Sequence, residues 1–208
     1  MTQEKDYTRD LTEIRSMMER TSKFLSLSGW AGVMAGIYAL VGVYIAYQYL
    51  GVHPGQLTYV ATVPETWSVT GTRLIALALA VLVLAIGTAV YLSYKKAGRR
   101  SEKLWNGTSR RLVLNMAVPL VTGGVLILIL IAKGLTGLIV PFTLIFYGLA
   151  LYSAGQFTYG AVRVLGLIEI GLGLISAYFV GFGLYCWAVG FGLFHIIYGI
   201  YIHYRYEQ

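Results

Sequence analysis

The chain has 208 residues, 57% of them hydrophobic and only 12% charged, with a mean hydropathy of +0.69. An average soluble domain carries about 25% charged residues, so a soluble monomer is excluded, and so is a disordered chain, which needs low hydrophobicity and high charge. One cysteine, Cys186, excludes an intramolecular disulfide and a cysteine-based metal cage, and the net charge of +7 fits a topology signal in a membrane protein, not nucleic-acid binding.

Residues 5–26 predict a cytoplasmic amphipathic helix. Tyr7, Leu11, Ile14, Met18, Thr21 and Leu25 recur at a seven-residue period. Residues 1–26 hold five acidic and five basic residues, which argues against a strongly cationic lipid-binding peptide. Its apolar stripe either lies in the membrane interface or packs beneath the bundle, or it pairs with a partner helix. The interface or the packing beneath the bundle is the expected place, and in the alternative residues 7–25 are the surface for a homo-oligomer or helix partner. No apolar signal-peptide core precedes the first span, so that span is expected to act as its own insertion signal.

Six stretches are long and apolar enough to cross a bilayer core, which needs about 20 residues: 27–49, 74–94, 112–132, 135–152, 161–182 and 184–203. The expected fold is an all-α polytopic bundle of six transmembrane helices in three hairpins. It makes a transmembrane domain over 27–208 after the helix in 1–26. An outer loop spans 51–72 and a basic cytoplasmic loop 95–111. Pro54, Gly55 and Pro64 argue against a long helix in the outer loop, and residues 57–63 and 66–69 suggest a short hairpin cap. Only Phe182-Gly183 separates spans five and six, which implies a tight antiparallel turn.

Basic residues set the orientation. Fourteen fall on the side of the N-terminal segment, the 95–111 loop, Arg163 and Arg205, against Arg73 and Lys133 on the other. Both termini are expected in the cytoplasm. Tyrosines at the span ends suit the headgroup region. Asn106-Gly107-Thr108 matches a glycosylation sequon, but it lies on the predicted cytoplasmic side, so the match is taken as coincidence.

Internal repetition is visible. Ile86-Gly87 before Tyr91, Tyr147-Gly148 before Tyr152 and Tyr198-Gly199 before His203 share one layout. Gly29 and Gly36 are seven apart, as are Gly166 and Gly173. This predicts three copies of a two-helix unit, with glycines letting helix backbones approach closely.

No P-loop, HExxH, CxxC, GxSxG or Rossmann glycine pattern occurs. No catalytic residue, metal site or cofactor is expected, and the lipid bilayer is the only partner that the composition itself implies. His195 and His203 share one helix, about 12 Å apart, and cannot clamp one haem iron. Two ionisable groups lie deep in spans, Glu169 and His195. Each is thirteen residues from Phe182, so they sit at matching depth on neighbouring antiparallel helices. Gly166 and Gly173 flank Glu169 at the same offsets as Gly192 and Gly199 flank His195, which places these close-packing glycines on the polar faces. The pair is either an interhelical hydrogen bond that fixes the hairpin or a proton-handling site.

The run Glu13-Ile14-Arg15-Ser16-Met17-Met18-Glu19-Arg20, then Ser26-Leu27-Ser28-Gly29, together with Gly190-Phe191-Gly192-Leu193-Phe194-His195-Ile196-Ile197-Tyr198-Gly199, resembles a family of uncharacterised six-span bacterial inner-membrane proteins. The three Gly-rich hairpins also resemble, in architecture alone, the six-helix acid-resistance membrane protein family. The resemblance implies a multi-pass protein of the bacterial inner membrane and brings no activity with it. The expected role is non-enzymatic: structural, sensory or stress-related. The alternative is a small transporter or channel that uses Glu169 and His195 for proton or ion coupling.

Overall fold

The computed structural model describes residues 27–55, 69–99 and 105–207. The expected amphipathic helix in 1–26, with its 7–25 partner surface, lies outside the described residues, as does most of the expected hairpin cap. Among the described residues there is no strand, and six helical segments are long and apolar enough to cross a membrane. The fold is an all-α bundle of six spans.

Helix α1 (Gly29–Leu50) ends where Gly51 takes a φ of 68° and returns its N–H to the Ala46 carbonyl, a left-handed cap that favours glycine. Helix α2 (Val69–Arg99) is longer at both ends than its apolar core. At 31 residues it is about 46 Å long and overreaches a bilayer core of about 30 Å. Hydropathy marks only the part inside lipid, so Lys95, Lys96 and Arg99 belong to the helix, and the outer loop ends before Val69.

Helix α3 (Gly107–Ala132) begins on a reciprocal cap. Asn106 Oδ1 accepts from the Ser109 N–H and Ser109 Oγ accepts from the Asn106 N–H, both at 2.8 Å. The sequon-like triplet is thus a helix start. A 3₁₀ turn, Thr136–Leu138, leads into α4 (Ile139–Ala154). Helix α5 (Gly160–Tyr178) stops four residues before the expected end of the fifth span. A 3₁₀ turn, Val180–Phe182, carries the chain round, and the Gly181 carbonyl accepts the Gly55 N–H at 2.9 Å. The sixth span runs through α6 (Gly183–Trp187), a π-helical segment Ala188–Phe194 and α7 (His195–Tyr206).

Lipid supplies no hydrophobic drive between spans, so small residues decide which helices meet. The sixth span packs against α1 and α5, α5 packs against α4, and α2 and α3 flank this centre on α1 and α4. Two of the crossings are near copies. A Cβ on Gly199 would stand 2.5 Å from the Gly29 carbonyl oxygen, and one on Gly29 would stand 2.5 Å from that of Gly199. Gly148 and Gly166 repeat the relation at 2.6 Å. Gly36 meets the Gly192 carbonyl and Ile196 as Gly173 meets the Pro141 carbonyl and Ile145. Helix α1 therefore corresponds to α5, and the sixth span to α4. The close glycine contact is repeated as a pair of crossings, between α1 and span six and between α5 and α4. Gly87 of α2, which carries the third copy of the motif, has open space where a Cβ would go.

Candidate functional site

Glu169 occupies in α5 the place that Gly32 holds in α1, three residues after the first crossing glycine. Its side chain is fully buried. The carboxylate reaches the sixth span at Gly190, where a Cβ would stand 2.5 Å from Glu169 Oε2. Gly190 thus admits the carboxylate to the backbone of the π-helical segment.

His195 follows that segment directly and is 4% exposed. Its Nδ1 lies 3.4 Å from Glu169 Oε1 and 3.0 Å from the Gly190 carbonyl oxygen. The hydrogen bond goes to Gly190. On the other side of the ring, Nε2 and the Tyr147 hydroxyl are 2.8 Å apart. Phe191 stacks on the imidazole with ring centroids 5.8 Å apart, and Tyr147 and Trp187 pack on Phe191.

Geometry fixes the neutral tautomer. With Nδ1–H donating to Gly190, Nε2 accepts from the Tyr147 hydroxyl. A protonated imidazole would donate on both sides and release the tyrosine proton for another acceptor. Neither oxygen of Glu169 has a hydrogen-bond partner, and Oε1 makes only the 3.4 Å approach to His195 Nδ1, an ion pair when the imidazole is protonated. A buried polar group left in this way costs free energy on the order of 1–3 kcal/mol, and in a membrane span such a group points to function.

The structure thus brings Glu169 and His195 together between α5 and the sixth span. The flanking glycines go elsewhere. Gly166 and Gly173 close the α4 crossing, and Gly192 and Gly199 close the α1 crossing, where Gly192 sits against Leu40. Offsets of three and four mark one stripe of a helix, and that stripe is wide enough to face two neighbours. Tyr147 and the Gly190 carbonyl were not among the expected site residues. The Tyr-Gly motif did carry a signal for Tyr147, whereas nothing in the sequence announces the π-helical segment that aims Gly190. Asn115 and Thr143 bond their own helices, at Arg111 and Val140.

A second polar cluster closes the basic end of the bundle. Lys96 donates to Glu207 Oε1 at 2.9 Å, to the Leu27 carbonyl and to the Tyr159 hydroxyl. Glu207 also accepts from the Gly29 N–H at 2.9 Å and from His203 Nδ1 at 2.7 Å. Burial alone would raise the Glu207 carboxyl, but the hydrogen bonds from His203, Lys96 and Gly29, with the Lys96 charge, hold it at about 2. No expected site residue belongs to this cluster.

These features define a multi-pass membrane protein with a buried acid and imidazole and a partly buried phenol among its central helices. Among the described residues no group of three or more His, Cys, Asp or Glu side chains could hold a metal ion. Comparisons with protein-family models, curated proteins and solved structures give no match.

Proposed function

We propose that this is a proton-responsive protein of the bacterial inner membrane, non-enzymatic and sensory, with Glu169 as the proton-binding group. The observation that carries the reading is the Glu169 carboxylate, fully buried, without a hydrogen bond and 3.4 Å from His195 Nδ1. A carboxylate and an imidazole at this separation compete for one proton. Moving that proton changes what His195 asks of Gly190 and Tyr147, and so reaches both the sixth span and α4. π-Helical turns recur at functional sites, and this one forms the backbone around the group that titrates.

The orientation with both termini in the cytoplasm is supported by the distribution of basic residues, fourteen against two. The resemblance at residues 13–29 and 190–199 supports the bacterial inner membrane. The seven-residue stripe of residues 7–25 supports a helix partner or self-association there.

The test is infrared spectroscopy of the purified protein in lipid across a pH titration. A protonated-carboxyl stretching band should appear on acidification and be absent in Glu169→Gln. An identical titration in wild type and Glu169→Gln would remove the proposal. A small proton- or ion-coupled transporter is the second reading, favoured by the two unpartnered carboxylate oxygens, which are what an incoming cation would bind. In that case a cation gradient across liposomes should collapse with the native protein and persist with Glu169→Gln.

A further inference from the structure

Tyr198 carries a hydroxyl that is buried and has no hydrogen-bond partner. It lies on α7 three residues past His195, about one turn nearer the basic end. Tyr198 is the counterpart of Tyr147, because Gly148 and Gly199 hold equivalent places in the two crossings and each follows its tyrosine directly. The Tyr147 hydroxyl has His195 as its partner. The Tyr198 ring lies instead against Gly32 of α1, where a Cβ would stand 3.1 Å from its Cδ1. Both tyrosines pack on the buried cluster of Leu151, Val162, Leu165 and Ile202, which fills the layer between Glu169 and the basic end.

Tyr198 therefore stands between two polar clusters that apolar side chains otherwise divide. Toward the site it interacts electrostatically with Tyr147, and toward the basic end with Tyr159, Tyr206 and Glu207. From there the links are direct contacts. The Tyr159 hydroxyl accepts from Lys96 at 3.3 Å, Lys96 is 2.9 Å from Glu207 Oε1, and His203 Nδ1 is 2.7 Å from Glu207 Oε2. Tyr206, exposed at this end, packs on Tyr159 with ring centroids 4.4 Å apart. The Lys96 and Glu207 side chains are 13% and 10% exposed, so the cluster reaches the surface where a proton can enter.

Resting on the reading of Glu169 as a proton-binding group, we infer that Tyr198 is the relay residue through which Glu169 and His195 exchange protons with the basic end of the bundle. A hydroxyl both donates and accepts, so it can take a proton at its oxygen as it gives up its own. On the inward course Tyr198 passes its proton to the Tyr147 oxygen and is refilled from the Tyr159 side. Tyr147 gives its own proton to His195 Nε2, and His195 Nδ1 releases its proton to Glu169 Oε1. Each phenol ends with the proton count it began with, and one proton from solution has neutralised the carboxylate. The imidazole ends as the other neutral tautomer, with Nδ1 accepting from the new carboxylic acid and the Gly190 carbonyl without its donor. Buried water is the usual partner of a hydroxyl that no protein atom satisfies, and a water bridging Tyr198 to its neighbours continues the hydrogen-bonded chain.

The experiment uses the full chain in proteoliposomes sorted to a single orientation, with an acid jump applied to the side of the basic end. The carboxyl stretching band assigned to Glu169, by its loss in Glu169→Gln, reports arrival of the proton. The band should rise promptly in the native protein and about a hundredfold more slowly in Tyr198→Phe, the scale on which a positioned proton-transfer group acts. Because this hydroxyl has no protein partner, Tyr198→Phe should keep the native denaturation midpoint and the native final height of the band. A merely structural tyrosine would move the midpoint and leave the rate. A Tyr198→Phe protein as fast as the native one, one with a lowered midpoint, or a native band that rises only as the gradient leaks overturns this inference and leaves Glu169 as the proton-binding group. A band that never titrates overturns that underlying reading instead.

Discussion

Glu207 Oε1 accepts the N–H of Gly29 at 2.9 Å across 178 residues of chain, and holds Lys96 Nζ at the same distance. The Ser28 side chain makes no cap on α1. A carboxylate at that place satisfies an orphan N–H and sits on the positive end of the helix dipole. Glu207 therefore does from the far end of the bundle what an N-cap residue does locally.

Removing that charge should loosen the bundle. Glu207→Gln is expected to lower stability by about 1–2 kcal/mol, and Glu207→Ala by more, since it also takes away the acceptor of Lys96 and His203. Denaturing-detergent titration of the purified protein reads the change. An unmoved midpoint in Glu207→Ala would contradict the capping role.

Acid should have the same effect in a defined window. The folded carboxyl of Glu207 is held at about 2, below the ordinary 4.5. Its contribution is therefore complete above pH 4.5 and is lost as pH falls from 4.5 toward 2. Wild type should lose its advantage over Glu207→Gln across this interval, measured as the difference between their thermal midpoints. A difference that stays constant down to pH 2 would show that the carboxylate does not stabilise the fold.

The two glycine crossings should respond alike. Gly199→Ala and Gly148→Ala each drive a methyl to within 2.5–2.6 Å of a backbone carbonyl oxygen, and overpacking of this kind costs typically about 1–3 kcal/mol. Gly87→Ala meets open space and should be neutral, or stabilising by up to about 1 kcal/mol, because alanine favours a helix. Equal losses at all three positions would refute the distinction between used and unused copies of the motif.

At the site, the order of effects is unusual. Tyr147→Phe removes the donor to His195 Nε2 and should cost about 1–3 kcal/mol. Glu169→Met replaces a buried carboxyl that has no hydrogen bond by an apolar chain of similar length. It should be at least as stable as the native protein, while the titrating carboxyl band disappears. His195 keeps both of its hydrogen bonds in that variant. A strongly destabilised Glu169→Met would mean that the carboxylate holds the helices together.

Topology follows from charge and can be read directly. In a Cys186→Ala background, His53→Cys and Arg110→Cys, both at exposed positions, should label with a membrane-impermeant thiol reagent from opposite sides. His53→Cys is expected to label from outside the cell. Labelling of both from one side would break the six-span order.

The spans were legible because crossing a bilayer leaves a signal about 20 residues long, and no loop in this chain imitates it. Ends were less legible: α2 continues through Lys95, Lys96 and Arg99 because a helix does not stop where lipid does. Depth was legible too, since a short turn between antiparallel helices puts Glu169 and His195 level. Partner choice was not. The spacing of Gly166 and Gly173 states that a backbone comes close, but not that it belongs to α4. The Gly190 contact depended on a π-helical segment with no pattern of its own. Glu207 lies past the end of the sixth span with no motif around it, and the packing of that span on α1 brings it to Gly29.

The crossing of Gly29 with Gly199 also sets an order of events during biosynthesis. Helix α1 is the earliest of the six spans to be translated, and its closest neighbour is the latest. At roughly 5–20 residues per second, the 178 residues between Gly29 and Glu207 take about 10–35 s. For that interval α1 waits in the bilayer with Gly29, Gly32 and Gly36 facing lipid or a temporary companion, while α4 and α5 can already close their own copy of the contact. The α4–α5 crossing can therefore close before the last span arrives, and that span then brings His195 to Glu169 and Glu207 to Gly29.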